Sequence, residues 1–244
     1  MTNTRLLISM SMLLVSPGLM ASPIRYVTLH GSDIQKYDAQ LSPWRCEFFA
    51  EYPYLFQPSD VPSYHEVQHE NVIYESSPQT IMVCAFDDNE LIGCLVGLPL
   101  KDYHVATSPQ PNGECYLADT LFRDIQTRHP YAFYMSELLI KKEYRSSSLV
   151  DALYHHIEQA VHTIYPACTE LCMLKIEADE NNPLCPQDYE ALPLTERLEY
   201  TLLTAHHFSA TSEYAHIIWN TIRFNNISGF DQHTLRLWTK PFSN

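Results

Sequence analysis

An amphipathic pattern runs from Leu149 to Ile164, where Leu149, Ala152, Leu153, His156, Ile157, Ala160, Val161 and Ile164 recur at the spacing of one helical face. Ahead of it, Tyr131–Ile140 is a run of strand formers, and Thr80–Phe86 with Glu90–Leu98 flank Asp87-Asp88-Asn89, which predicts a hairpin. Ile24–Leu29 predicts a further strand. Ser32 and Asp33 offer a cap for a helix to Leu41. Pro43–Pro62 is aromatic and broken by proline, so loop or short helix is expected there. Ser63–Tyr74 carries Tyr64, Val67, Asn71 and Tyr74 as a helical stripe. Tyr103–Pro130 reads as loop with a short helix near Leu117–Arg128. A strand over Glu170–Ala178, a helix over Leu194–His206 and a strand pair at Ala215–Ile222 and Thr234–Thr239 complete the pattern. Strands and helices alternate through the middle of the chain, which predicts an α/β layer fold.

With 244 residues and 45% hydrophobic content, the chain can enclose one large core, and a single domain over residues 22–244 is expected. Residues 1–21 read as a secretory signal, with Arg5, an apolar run from Leu6 to Val15, and small residues at Ala21 and Ser22. That run is too short for a stable membrane span. A cleaved segment implies a secreted protein, and a retained one a cytoplasmic protein.

The formal charge of -14, with no basic run, argues against nucleic acid as a partner and favours cationic acceptors such as amines. Seven cysteines form no Cys-x-x-Cys pair, and Cys84 and Cys94 lie in apolar alternating segments, which predicts buried free thiols.

The junction from Tyr134 to Leu153 reads Tyr-Met-Ser-Glu-Leu-Leu-Ile-Lys-Lys-Glu-Tyr-Arg-Ser-Ser-Ser-Leu-Val-Asp-Ala-Leu. It resembles the acetyl-coenzyme A signature of the GCN5-related N-acetyltransferase (GNAT) family, in which a strand runs through an Arg-x-x-Gly-x-Gly/Ala loop into a helix. The resemblance extends from Ile24 to Phe242 and includes the hairpin ending Leu-Ile-Gly-Cys-Leu-Val-Gly-Leu-Pro-Leu, Asn182-Pro183 with Asp188-Tyr189, and His207-Phe208 where the family commonly has Gly-Phe.

The resemblance implies a mixed, splayed central sheet flanked by helices, opening between Glu90–Leu98 and Tyr131–Ile140 to admit the donor. It implies acetyl transfer from acetyl-coenzyme A to a small-molecule or peptide amine, by direct attack and without a metal. The pyrophosphate would meet Arg145, Ser146, Ser147, Ser148, Leu149 and Val150, because first-turn N–H groups lack helical partners and the helix dipole favours an anion. Leu138, Leu139 and Ile140 would pair with the pantetheine arm, with Glu137 as general base. The position where many relatives carry an acidic tyrosine is Leu203, which leaves Tyr200 and Tyr189 as candidate acids. Both loop glycines are replaced, by Ser148 and Val150; serine keeps the backbone approach, whereas valine is expected to crowd it. A non-catalytic binding module of the same fold is therefore a second expectation.

A third comes from His65-Glu66-Val67-Gln68-His69, which matches the zinc-peptidase pattern. Helical spacing turns His65 and His69 away from the apolar stripe, and Glu90, at a plausible distance for a third ligand, lies beside a hairpin turn. A solvated helix face accounts for the motif without a metal.

Overall fold

The computed structural model describes residues 23–50, 77–103, 116–117, 120–176, 201–222 and 228–242. The segment 1–21, the His65–His69 motif, Tyr189 and Tyr200 lie outside these residues.

Strand β1 (Arg25–His30) lies antiparallel to β2 (Ile81–Asp87), which forms the expected hairpin with β3 (Glu90–Pro99). Asp88 in the turn takes φ 52°, a left-handed conformation that aspartate tolerates better than most residues. Next come β4 (Tyr116–Leu117), α2 (Thr120–Arg128), β5 (Ala132–Ile140), α3 (Ser147–Ile164), β6 (Glu170–Ile176), β7 (Ser209–Ile222) and β8 (Ser228–Pro241). Among the described residues the strands form one eight-stranded sheet in the order β1-β2-β3-β5-β6-β8-β7-β4. Neighbouring strands pair antiparallel except β5 with β6, whose crossover contains α3. This is the mixed α/β sheet with flanking helices that the sequence led us to expect.

Three boundaries differ most, one of them that of β8, which begins at Ser228 and not at Thr234. Helix α1 spans Asp38–Ala50 and follows a 3-10 turn at Gly31–Tyr37, so the helix begins later than expected and runs through Pro43 into the segment where a loop or short helix was expected. Leu41, Arg45 and Phe48 are buried at helical spacing, and this buried face outweighs the backbone bond that proline forgoes. Strand β7 starts at Ser209, because its polar first residues pair with β8 before a register shift between Ala210 and Tyr214.

Helix α3 covers one face of the sheet, packing Leu149, Val150, Leu153 and Ile157 on Val83, Phe133, Leu138 and Ile140. On the opposite face Ile34, Leu41 and Phe48 lie over Met82, Cys94 and Leu139. A third cluster joins Ile125 of α2 to Tyr134, Cys172, Leu174 and Leu235. Cys84, Cys94 and Cys172 are buried free thiols.

Candidate active site at the parting of two strands

Strand β5 holds most of the candidate residues, and its two edges are treated differently. Toward β3 it pairs along its length, from Gly93↔Ile140 to Pro99↔Phe133. The sheet therefore does not open between these two strands, contrary to the expectation from the sequence. Toward β6 only Ala132↔Glu170, Phe133↔Leu171 and Tyr134↔Cys172 pair, while β6 continues against β8 as far as Ile176↔Leu235. The opening lies on this side. Beyond Tyr134, among the described residues, β5 presents an edge with no ladder partner.

The pairing register with β3 skips Ser136, since Val96 faces Glu137 and Gly97 faces Met135. Ser136 is thus a β-bulge, and its hydroxyl donates to Val96 O at 3.3 Å. Two consequences follow. Side chains change parity at the bulge: Phe133, Met135, Leu138 and Ile140 pack in the α3 cluster, whereas Tyr134 and Leu139 belong to the opposite face. Gly97 is also required opposite the bulge, because a Cβ there would lie 2.4 Å from Phe133 Cε1 and 2.5 Å from Tyr134 O.

Peptide direction follows from one hydrogen bond. Lys141 N–H donates to Ile92 O of β3 at 2.9 Å, so alternation turns the Leu139 N–H toward β3 and those of Leu138 and Ile140 toward the opening. Of the three residues expected to pair with an extended ligand, Leu138 and Ile140 face the right edge.

At the end of β5, Arg145 Nε donates to Ile140 O at 3.2 Å and ties the strand to the loop. Ser146 caps α3, its hydroxyl accepting from Leu149 N–H at 3.4 Å, while Val150 N–H reaches Ser146 O at 3.2 Å. The N–H groups of Ser147 and Ser148, in the first turn, have no carbonyl within the helix to meet. Both side chains are exposed, and Leu149 and Val150 turn into the core. Val150 therefore does not crowd the loop, contrary to expectation. Its side chain lies on the buried stripe of α3, and the exposed approach is left to serines.

Glu137 projects to the same face as Leu139, as strand alternation with the bulge requires. Its carboxylate is held by Arg45 of α1: Nε donates to both oxygens at 3.0 Å and Nη2 to Oε2 at 2.8 Å. Arg45 Nη1 also reaches Asp38 Oδ1 at 3.3 Å. The Arg45 side chain is fully buried, and Asp38 is partly exposed. Sequence reasoning passed over Arg45, although an arginine spaced with Leu41 and Phe48 on one helical face was a readable sign of a buried partner.

A second charged cluster lies at the closed end of the opening. His129 Nδ1 bonds Glu170 at 2.8 Å and Nε2 bonds Glu213 at 2.6 Å, with Arg128 also on Glu213 at 2.6 Å. Burial pulls the imidazole toward lower pKa, but the hydrogen bonds and charges of Glu170 and Glu213 prevail and hold it above its ordinary value. The ring lies between the carboxylates. No metal-binding group of three such side chains occurs among the described residues.

No protein-family model and no curated protein matches this chain. Among solved structures, an aminoglycoside 6'-N-acetyltransferase complexed with coenzyme A aligns at TM-score 0.48 and 13% identity, over 88% of this chain and 96% of that one. A ribosomal-protein-alanine N-acetyltransferase from Brucella melitensis aligns at TM-score 0.48 and 7% identity, over 88% and 99%. A putative GNAT-family acetyltransferase from Desulfovibrio desulfuricans aligns at TM-score 0.45 and 11% identity, over 90% and 99%. These are distant likenesses of the fold.

Proposed function

We propose that this chain is an N-acyltransferase that moves an acetyl group from acetyl-coenzyme A to a small-molecule or peptide amine. The carrying observation is the unit formed by β5 and α3, in which a strand edge that has no ladder partner beyond Tyr134 among the described residues leads through a 3-10 turn at Lys142–Tyr144 into a capped helix N-terminus. The donor's chemistry fits both halves. Its pantetheine arm is an extended chain of amides, which the Leu138 and Ile140 N–H groups can meet as a strand would. Its pyrophosphate is an anion, which suits the Ser147 and Ser148 amides at the positive end of α3. Arg145 adds a positive charge at the same turn.

Acetyl-coenzyme A supplies an acyl group already activated as a thioester, so the chain has to orient it and manage the acceptor's proton. A general base must present a lone pair to that acceptor. The Glu137 side chain is only 6% exposed and both its oxygens accept from Arg45, which shields the lone pairs left over, so in this reading Glu137 fixes the strand and is not the base. Tyr200 is retained as the proposed acid. The engagement of Glu137 also favours a second reading, a binding module of the same fold that holds the donor without turnover.

Calorimetric titration of the full chain with acetyl-coenzyme A tests the cofactor site, with Ser148→Glu as control. A carboxylate in the first turn suits the helix dipole, so the variant folds, yet it repels a second anion and should weaken binding by about tenfold or more. No binding by folded wild-type protein would end the acyltransferase reading. Binding without turnover across an amine panel would select the module.

A further inference from the structure

The Arg45–Glu137 pair is an unusual way to secure a sheet. Hydrophobic residues of similar volume commonly serve a core as well as a buried ion pair does, whereas removing one partner strands a charge. The best attested use of such a pair is to specify one register among several. Strand β5 has need of that. Ala132–Ile140 reads Ala-Phe-Tyr-Met-Ser-Glu-Leu-Leu-Ile, apolar on both faces, so its hydrophobic pattern does little to distinguish one register from its neighbour. Glu137 is its only charged residue.

The consequence of a slip can be read from the bulge. If Ser136 entered the ladder, residues 137–140 would reverse faces, the Glu137 carboxylate would enter the apolar cluster under α3, and Arg45 would keep its charge on the other side. The Leu138 N–H would turn to β3 and the Leu139 N–H to the opening. We propose that Arg45 is a positioning residue: by holding Glu137 it fixes the Ser136 bulge and so aims the Leu138 and Ile140 N–H groups into the opening between β5 and β6. That these amides serve an acyl donor rests on the function proposed above; that Arg45 sets their direction does not.

The test compares wild type, Arg45→Met, Arg45→Lys and the double variant Arg45→Met/Glu137→Leu, each as the full chain. The single methionine variant should be destabilised, and the double variant should recover wild-type thermal stability because neither member of the pair is left buried without the other. In that refolded double variant, amide exchange followed by NMR should show the Leu138 N–H gaining protection and the Leu139 N–H losing it, relative to wild type. Acetyl-coenzyme A affinity should remain about tenfold below wild type despite the regained stability, and Arg45→Lys, which keeps the charge but not the fork, should restore it only in part. Wild-type exchange in the stable double variant overturns the proposal, as does wild-type affinity in a protein that binds the donor. Should the double variant not refold, Arg45→Lys carries the same exchange comparison, and an unchanged pattern there overturns it equally. If wild type does not bind acetyl-coenzyme A, the functional reading falls and the exchange pattern alone decides the role of Arg45.

Discussion

Replacing His129 with alanine removes the group that holds two carboxylates together, and the cost should depend on pH in a direction that the structure fixes. His129 is held above its ordinary pKa, so its stabilising effect is fully present below about pH 6.5, the unfolded value, and fades as pH rises through the folded one. Each charged hydrogen bond to Glu170 and Glu213 would contribute about 1.5–3 kcal/mol if fully shielded. The side chains of His129, Glu170 and Glu213 are 19%, 19% and 11% exposed, and Arg128 shares the load on Glu213. Solvent screening and this second partner bring the expected total to about 2 kcal/mol. For a domain of this size that is about 4–8 °C in melting temperature. His206 works against the trend. Burial holds it below its ordinary value despite its hydrogen bond to the Asp151 carboxylate, so it stabilises the fold above the unfolded histidine range and less as pH falls. The assay is therefore thermal unfolding of wild type and His129→Ala side by side from about pH 6 to 9, read as the gap between them. The gap should be widest at the acid end and shrink toward the basic end, leaving the smaller contribution of a neutral ring. A gap that stays constant or widens with pH would refute the assignment of a doubly bonded imidazolium.

Gly97→Ala should destabilise by about 3 kcal/mol, because its Cβ meets a backbone carbonyl, whereas Gly93→Ala, 3.3 Å from the flexible Ile140 Cγ1, should cost about 1 kcal/mol or less; chemical denaturation of the pair checks the order. Val150→Glu should leave little folded protein, since it buries an unpaired carboxylate in the α3 cluster, while Ser148→Glu gives a normal circular dichroism spectrum and melt. Burial pushes the Cys84 thiol up to about 12 and raises Cys172 as well. Peptide mapping after alkylation near pH 8 should find both unlabelled in native protein and labelled after denaturation; native labelling of Cys84 would contradict its place in the core.

The hairpin and α3 were legible from a pattern with a clear boundary, turn residues at Asp87-Asp88-Asn89 in the one and a continuous apolar stripe in the other, and β5 from its run of strand formers alone. The direction of the opening was not legible. Whether β5 pairs fully with β3 or with β6 depends on contacts distant in sequence, and a strand apolar on both faces offers no local mark of its partners. The same uniformity hid the bulge, so Val150 and the Leu138 amide could be placed on the chain but not aimed. Arg45 and Glu137 were each anomalous in an apolar setting, and reading the two anomalies as one ion pair would have located α1 over β5. The His129 cluster gave no comparable sign, since its carboxylates come from two strands whose starts are polar.

The site's location then follows from competition for strand edges. Strand β6 is held by β8 over its whole length, and β5 by β3 over its own, while only three rungs at their amino-terminal ends join the two. His129 reinforces that end by bonding Glu170 at the first rung, and α3 leaves from the other end, carrying its N-terminus to the point where the strands have parted. Any change that extended the β5–β6 ladder would satisfy more backbone and stabilise the sheet while consuming the amides proposed to meet the donor. Maximal pairing and the proposed function are therefore in conflict along residues 135–140, and Glu137, which the buried charge pair with Arg45 holds, lies within that stretch, where the choice between them is made.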